Sequence, residues 1–169
     1  RRGYAGSVAR LVLSDASPLI GLALVDGLGW LPRLFGVVSV PREVERELLP
    51  GRGEPGEAAL QQALREGWLA VVERTPKRPD LPDLDEGEAA CIRIALSHGG
   101  PALVLMDERA GRAVAAEHGL SVAGTAAVIG LAKVRGLIPS AHAVFDVLHR
   151  SDFRISAEVI RTVLARAGE

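Results

Sequence analysis

Short apolar runs alternate along the chain with longer stretches in which apolar residues recur every three or four positions. Each short run predicts a buried β-strand, and each longer stretch predicts an amphipathic α-helix. The predicted strands are residues 10–14, 37–40, 69–72, 103–106 and 120–123. The predicted helices are residues 18–25, 31–35, 41–49, 57–66, 88–97, 109–118, 125–135, 141–150 and 157–167. This alternation is typical of an α/β domain.

Residues that favour helix ends mark several boundaries. Ser17 and Pro18 resemble a helix start, with Ser17 as the N-cap and Pro18 at the first helical position. Ser140 and Ser156 are predicted to cap the last two helices. Residues 74–87 contain three prolines and many charges, which predicts an exposed loop.

Length and composition favour one globular domain. A chain of 169 residues is typical of a single domain, and no internal repeat or low-complexity linker divides it. We therefore expect one domain over residues 9–169, with residues 1–8 as an N-terminal extension or a cloning remnant. The content of 48% apolar and 24% charged residues excludes a disordered chain.

The charge balance excludes a globally basic nucleic-acid coat protein, because the net charge is −1. The charge is nevertheless uneven: residues 41–90 carry a net −5 and residues 109–169 a net +3. An acidic stretch beside a mildly basic one is compatible with a bound cation next to a polyanion, and equally with an ordinary solvated surface.

The single cysteine and the hydropathy indicate where the protein acts. Cys91 excludes an intramolecular disulfide, is typical of a reducing compartment, and is expected to be a buried packing residue. Residues 1–8 lack the apolar centre of a signal peptide. The uncharged run 119–132 is shorter than the roughly 20 residues that cross a bilayer. We therefore expect a cytoplasmic protein without membrane contact.

Four acidic residues are candidates for chemistry. Asp15 and Asp107 directly follow predicted strands, at the sheet edge where open parallel α/β sheets bind ligands. Glu47 flanks the apolar face of helix 41–49, and Glu88 lies in the first turn of helix 88–97. Each has an ordinary alternative: a turn aspartate, a glutamate reaching water at a helix end, or a carboxylate favoured by the helix dipole. Together they predict a four-carboxylate cluster at one edge of the sheet.

Such a cluster would need a cation. Two carboxylates about 6 Å apart repel by roughly 3 kcal/mol at an effective dielectric constant near 20. Four would raise one another's pKa values unless a cation neutralised them. Ligands that are all oxygen suit Mg²⁺ or Mn²⁺ rather than zinc, and an ion held in this way can catalyse phosphodiester hydrolysis.

These residues lie in motifs that resemble the PIN-domain nucleases. The string LSDASPLI at 13–20 resembles their first motif, and residues 38–48 resemble the second, a strand, a proline and a helix with an acidic residue near its end. LDEGEAA at 84–90 resembles the Gly-Glu-Ala variant of the third motif. VLMDE at 104–108, followed by VAGT at 122–125, resembles the fourth. The similarity is greatest to a subgroup of PIN-like proteins related to VapC-type toxins.

The resemblance implies a three-layer α/β/α fold with a central parallel sheet. It also implies Mg²⁺- or Mn²⁺-dependent cleavage of RNA, a homodimer, and a small antitoxin protein that blocks the active site. The implied metal-binding and catalytic acids are Asp15, Glu47, Glu88 and Asp107. Supporting roles fall to the Ser17 hydroxyl and to Glu108 as an extra ligand, and Arg109 and Arg112 are suited to contact RNA phosphates.

Two other functions are compatible with the sequence. Glu88 stands where many active PIN nucleases have aspartate, so the chain could be a catalytically inactive PIN-like module that binds RNA or protein. A haloacid-dehalogenase-like phosphatase would use Asp15 as nucleophile, but such enzymes carry a second aspartate two residues later, where this chain has Ser17.

Overall fold

The computed structural model describes residues 10–169, so the extension expected at residues 1–8 lies outside the described residues. The strands are Leu11–Ser14 (β1), Val38–Pro41 (β2), Leu69–Val72 (β3), Ala102–Leu105 (β4) and Ser121–Ala123 (β5). The helices are Ala16–Leu24 (α1), Trp30–Phe35 (α2), Arg42–Leu48 (α3), Glu57–Glu66 (α4), Glu86–Ser97 (α5), Arg109–Glu117 (α6), Thr125–Val134 (α7), Ala141–Leu148 (α8) and Ala157–Arg166 (α9). Each predicted element is present, with ends that differ by at most two residues.

The five strands form one parallel sheet in the order β3-β2-β1-β4-β5. The inner strands β1, β2 and β4 are buried along most of their length, as continuous apolar runs require when helices cover both faces of a sheet. The edge strands β3 and β5 are more exposed. This confirms the predicted three-layer α/β/α fold with a central parallel sheet.

The direction of chain travel reverses between β1 and β4. From β1 the chain builds outward through β2 to β3, then returns to place β4 on the other side of β1 and β5 beyond it. Ser14 pairs with Leu105 at the carboxyl ends of these strands, and Asp15 N–H donates to Leu105 O at 2.9 Å. The residues that follow β1 and β4 therefore meet at the position where ligands bind in sheets of this topology.

Apolar side chains from both helical layers hold the sheet in place. Leu13, Leu105, Ile92 and Ile129 are fully buried, and each such side chain stabilises the fold by about 1.5–3 kcal/mol relative to exposure. Cys91 is also fully buried, and burial raises the pKa of its thiol well above the ordinary value. The expectation of a packing role for this cysteine is confirmed.

The C-terminal segment rests on glycines of the helical layer beneath it. A Cβ atom on Gly21 would lie 2.9 Å from the ring of Phe153, and one on Gly130 would lie 2.6 Å from Val163 Cγ1. Ser140 and Ser156 accept hydrogen bonds from Ala143 N–H and Val159 N–H, so both predicted caps are confirmed. The position of α9 therefore depends on close approach to α7.

One buried acid serves the backbone. Glu57, at the start of α4, is 5% exposed, and its carboxylate accepts hydrogen bonds from Gly51 N–H at 3.0 Å and Gly53 N–H at 2.8 Å. It therefore holds the loop between α3 and α4. Within residues 10–169, no helix has both the length and the apolar character needed to cross a lipid bilayer.

Candidate metal centre and adjoining groove

Three carboxylates converge at the carboxyl end of β1. Asp15 directly follows this strand, Asp85 precedes α5, and Glu88 lies in the first turn of α5. One oxygen from each lies within 4.8 Å of the other two. Asp15 is 6% exposed and Glu88 is 5% exposed, whereas Asp85 is open to solvent. We call these three residues the acidic cluster.

A capping box fixes two members of the acidic cluster relative to each other. The Asp85 carboxylate accepts a hydrogen bond from Glu88 N–H at 2.8 Å, and the Glu88 carboxylate accepts one from Asp85 N–H at 3.4 Å. This reciprocal arrangement satisfies backbone donors at the start of α5. The helix therefore begins at Glu86, two residues before the predicted start, and the loop predicted for residues 74–87 ends at Asp85.

The environment of the acidic cluster raises the pKa values of its two buried members, Asp15 and Glu88. The pKa of Asp15 is raised from its ordinary 3.8 to about 7, chiefly by burial, with a hydrogen bond from Ala16 N–H acting in the opposite direction. The charges of Asp85, Glu88 and Glu47 contribute to this increase. The pKa of Glu88 is also raised, first by burial and then by the charge of Asp85. A divalent cation would relieve this repulsion.

Glu47 and Glu108 lie at the rim of the acidic cluster. Glu47, near the end of α3, is exposed as a residue, yet partial burial of its carboxyl group and the charge of Asp85 raise its pKa. Glu108 precedes α6, and its charge contributes to the raised pKa of Glu88. Both residues are within electrostatic reach of the cluster, while neither belongs to the set of oxygens within 4.8 Å.

Asp107 has hydrogen-bond partners of its own. Its Oδ2 atom accepts hydrogen bonds from Ser17 Oγ and from Thr125 Oγ1, both at 2.8 Å, and its Oδ1 atom accepts one from Thr125 N–H at 2.7 Å. These bonds join the carboxyl end of β4 to the first turns of α1 and α7. The Asp107 carboxylate is therefore fixed by α1 and α7, and it does not belong to the set of oxygens within 4.8 Å that the described residues form.

The predicted N-cap role of Ser17 is wrong. Asp15 is in extended conformation, so α1 begins at Ala16 and Ser17 already lies within the first turn. Pro18 is thus the third helical residue, where its missing N–H is still not needed. The Ser17 hydroxyl is free to donate to Asp107, which puts it next to the predicted site.

Two glycines leave room for these carboxylates. A Cβ atom on Gly87 would lie 2.8 Å from Asp15 Oδ1 and 3.1 Å from Val44 Cγ2. A Cβ atom on Gly111, in α6, would lie 2.5 Å from Met106 Sδ and 3.4 Å from Glu88 Oε1. The smallest side chains therefore line the places where α5 and α6 approach the acids.

A groove of about 690 Å³ extends from Asp107 between α6, the start of α7 and α9. Four arginines line it, Arg109 and Arg112 on one side and Arg154 and Arg166 on the C-terminal side. The Arg112 guanidinium also lies 3.5 Å from Met106 O. Both arginines predicted to contact phosphates therefore face a groove that begins at Asp107, one of the predicted acids.

The sequence interpretation missed two residues of this region, Asp85 and Thr125. The spacing of Asp85 and Glu88 is that of a capping box, which would have moved the helix start and brought Asp85 towards Asp15. Thr125 is within the fourth motif, but its two bonds to Asp107 depend on how β4 and β5 pair. No local pattern carries that information.

The donors of the acidic cluster are all carboxylate oxygens. Hard divalent cations such as Mg²⁺ and Mn²⁺ prefer such ligands, and Asp15 and Glu88 are buried acids whose charged forms need neutralisation. The acidic cluster therefore fits a divalent metal ion, with Asp15, Asp85 and Glu88 as the residues that would hold it.

Comparison with known proteins agrees with this fold. The family model described as a PIN domain matches residues 11–169. No curated protein and no solved structure matches the chain. The match spans all five strands, the acidic cluster and Asp107. The chain therefore belongs to the PIN-domain family.

Proposed function

We propose that this protein is an Mg²⁺- or Mn²⁺-dependent endoribonuclease that hydrolyses RNA phosphodiester bonds. Residues 9–169 form its single PIN-like domain in this proposal. The observation that carries it is the convergence of Asp15, Asp85 and Glu88 within 4.8 Å in a chain of the PIN-domain family. PIN domains are generally metal-dependent nucleases, which favours this reaction over phosphatase chemistry.

Each side chain has a distinct part in the proposed reaction. Asp15, Asp85 and Glu88 would hold the ion, and Glu47 and Asp107 would complete the acidic site predicted from the sequence. When bound, the ion supplies Lewis-acid catalysis to an in-line attack of water on phosphorus. A new bond forms between the water oxygen and phosphorus, the P–O bond to the leaving nucleoside breaks, and the proton that the water gives up balances the proton that the leaving oxygen takes up.

The remaining polar residues position the reacting groups. Ser17 and Thr125 hold the Asp107 carboxylate in place through their hydroxyl groups. Arg109 and Arg112 bind the phosphates of the RNA, and their positive charges offset the negative charge of the polymer next to the acids. Glu108 lies close enough to serve as an additional acidic group.

The decisive experiment measures cleavage of labelled single-stranded RNA by the purified chain in Mn²⁺, in Mg²⁺ and in EDTA. We expect cleavage only with a divalent ion. Asp15→Asn and Glu88→Gln should each lower the rate about a hundredfold or more, because a bound metal ion contributes several kcal/mol to catalysis. Gln at position 88 preserves the capping box, so its effect reports on charge rather than on helix stability.

Glu117→Gln is the matched control, because Glu117 is an exposed carboxylate on α6 outside the acidic cluster. Cleavage by Asp15→Asn at the parent rate would show that the assigned site is wrong. A chain that binds RNA in Mn²⁺ without cutting it would instead be the inactive RNA-binding module. Phosphate release from monoesters, with an aspartyl-phosphate trapped on Asp15, would favour the phosphatase.

We further propose that the nuclease is the toxin of a toxin–antitoxin pair, as in the VapC-type proteins that the motifs resemble. A small antitoxin protein would block the acidic site, and the toxin would act in the cytoplasm as a homodimer. Induced expression in bacteria tests this role: the parent chain should arrest growth, and Asp15→Asn should not.

A further inference from the structure

The groove beside Asp107 has an excess of positive charge. Its four arginines face only two acidic side chains, Asp107 and Glu158. The Asp107 oxygens already accept three hydrogen bonds from Ser17 and Thr125, so they are poorly placed to pair with a guanidinium group as well. The groove therefore carries positive charge that the protein does not itself neutralise.

Two of the four groove arginines have no partner within the described chain. Within residues 10–169, Arg109 and Arg166 form no hydrogen bond or ion pair, as is also true of Arg161 on α9, but only Arg109 and Arg166 line the groove. Both unpaired guanidinium groups are exposed to solvent along the groove. They stand on opposite walls, one on α6 and one on α9.

Arg154 has a different part in the same wall. Its Nη1 atom donates to the carbonyl oxygens of His149 at 3.0 Å and Phe153 at 3.2 Å, and also to that of Ser151. This arginine therefore fixes the turn that leads into α9. Together with the contact of Val163 with Gly130, it sets where Arg166 stands.

We propose that α9 forms the second wall of an RNA-binding groove, in which Arg166 and Arg109 bind successive phosphates of a strand that leaves the acidic cluster past Asp107. This inference rests on the proposed nuclease function and extends it to residues outside the acidic motifs. A polynucleotide fits better than an acidic protein segment, because the groove begins at Asp107, one of the acids of the proposed nuclease site. Phosphates also repeat regularly along a strand, so one strand can reach both walls.

The test separates binding from cleavage. Fluorescence anisotropy measures binding of a labelled oligouridylate to the full chain in EDTA, over a range of salt concentrations, so that no metal-dependent cleavage occurs. Arg166→Gln and Arg109→Gln should each weaken binding about fivefold at 0.1 M salt and reduce the salt slope by about 0.7, as expected for one lost phosphate contact to a single strand. Arg161→Gln, on the same helix but outside the groove, should match the parent.

The outcomes distinguish this inference from the proposed function. Equal RNA affinities of Arg166→Gln and Arg161→Gln would contradict the RNA-binding groove, even if the parent cleaves RNA in Mn²⁺. Loss of binding in Arg166→Gln supports the groove, even if the parent cleaves nothing. Absence of measurable binding by the parent overturns it. Displacement of the RNA by oligoglutamate at equal charge concentration also overturns it, in favour of an acidic protein partner.

Discussion

At the scale of single residues, Asp85 takes part in two separable interactions. Its carboxylate caps α5 by accepting a hydrogen bond from Glu88 N–H, and it also offers an oxygen to the acidic cluster. Asparagine can replace it as an N-cap but lacks the negative charge that a divalent ion prefers. Alanine can do neither.

We therefore expect the two substitutions to separate stability from metal binding. Asp85→Ala should lower the free energy of unfolding by about 1 kcal/mol, the usual cost of a lost N-cap, and Asp85→Asn should lower it much less. Both should weaken Mn²⁺ binding about tenfold or more, since even residues that only support metal ligands have effects of that size. Urea denaturation and calorimetry with Mn²⁺ measure the two quantities. Parent-like Mn²⁺ affinity in Asp85→Asn would mean that Asp85 is a cap and nothing more.

The residues of the site differ in how far the sequence reveals them. The positions of Asp15 and Glu88 after a strand and at a helix start are local properties, and the structure places both in the acidic cluster. The role of Asp85 is not predicted, because the proline-rich residues before it indicate a loop. Its spacing to Glu88 nevertheless indicates a capping box. The bond from Ser17 to Asp107 joins residues 90 positions apart, which only the pairing of β1 with β4 brings together.

At the scale of elements, α5 approaches β1 and α3 closely because Gly87 has no side chain. A methyl group there would lie 2.8 Å from Asp15 Oδ1 and 3.1 Å from Val44 Cγ2, closer than ordinary contacts allow. Either α5 or the Asp15 carboxylate would have to move.

Gly87→Ala should therefore weaken Mn²⁺ binding and RNA cleavage more than it lowers stability, because alanine otherwise favours a helix. Gly29→Ala is the control: Gly29 has helical backbone angles and nothing within 4 Å of an added Cβ. Calorimetry and cleavage rates of the two variants provide the comparison. If Gly87→Ala binds Mn²⁺ as the parent does, the close approach is not needed for the site.

The elements themselves were accessible from the sequence because each has a strong local signal. The inner strands are apolar on both faces, and α4, α8 and α9 begin or end at glycine or serine. The order of strands was not accessible, because parallel strands that are apolar on both faces can pair in many orders. The contacts of helices with both faces select one of these orders.

At the scale of the whole molecule, Asp15 links stability to pH. Its pKa is raised from 3.8 to about 7 in the folded chain, so its contribution to stability is full below pH 3.8 and is lost as the pH rises to about 7. The difference between the two pKa values corresponds to about 4 kcal/mol in the free energy of unfolding. The folded chain therefore binds a proton that the unfolded chain releases.

In EDTA, we expect the stability of Asp15→Asn relative to the parent to increase by about 3 kcal/mol between pH 5 and pH 8. Mn²⁺ should restore the stability that the parent loses at pH 8. It should have less effect at pH 5, because protons compete with the ion for the same oxygens. Urea denaturation at the two pH values, with and without Mn²⁺, measures both effects. If the free energies of unfolding of the two chains change equally with pH, burial does not raise the pKa of Asp15.

Phe153 and Val163 pack directly against Gly21 and Gly130, where no side chain separates them from the helices. The size of the residues at these two positions therefore sets the width of the groove. Since α9 buries no residue completely, its distance from α7 depends on how much volume lies beneath these two contacts. Graded enlargement at position 130 would tilt the helix outward and carry Arg166 with it, leaving the carboxylates untouched. Related chains with larger residues at position 130 would then differ in which RNA they bind, although the acids of the proposed reaction would be the same.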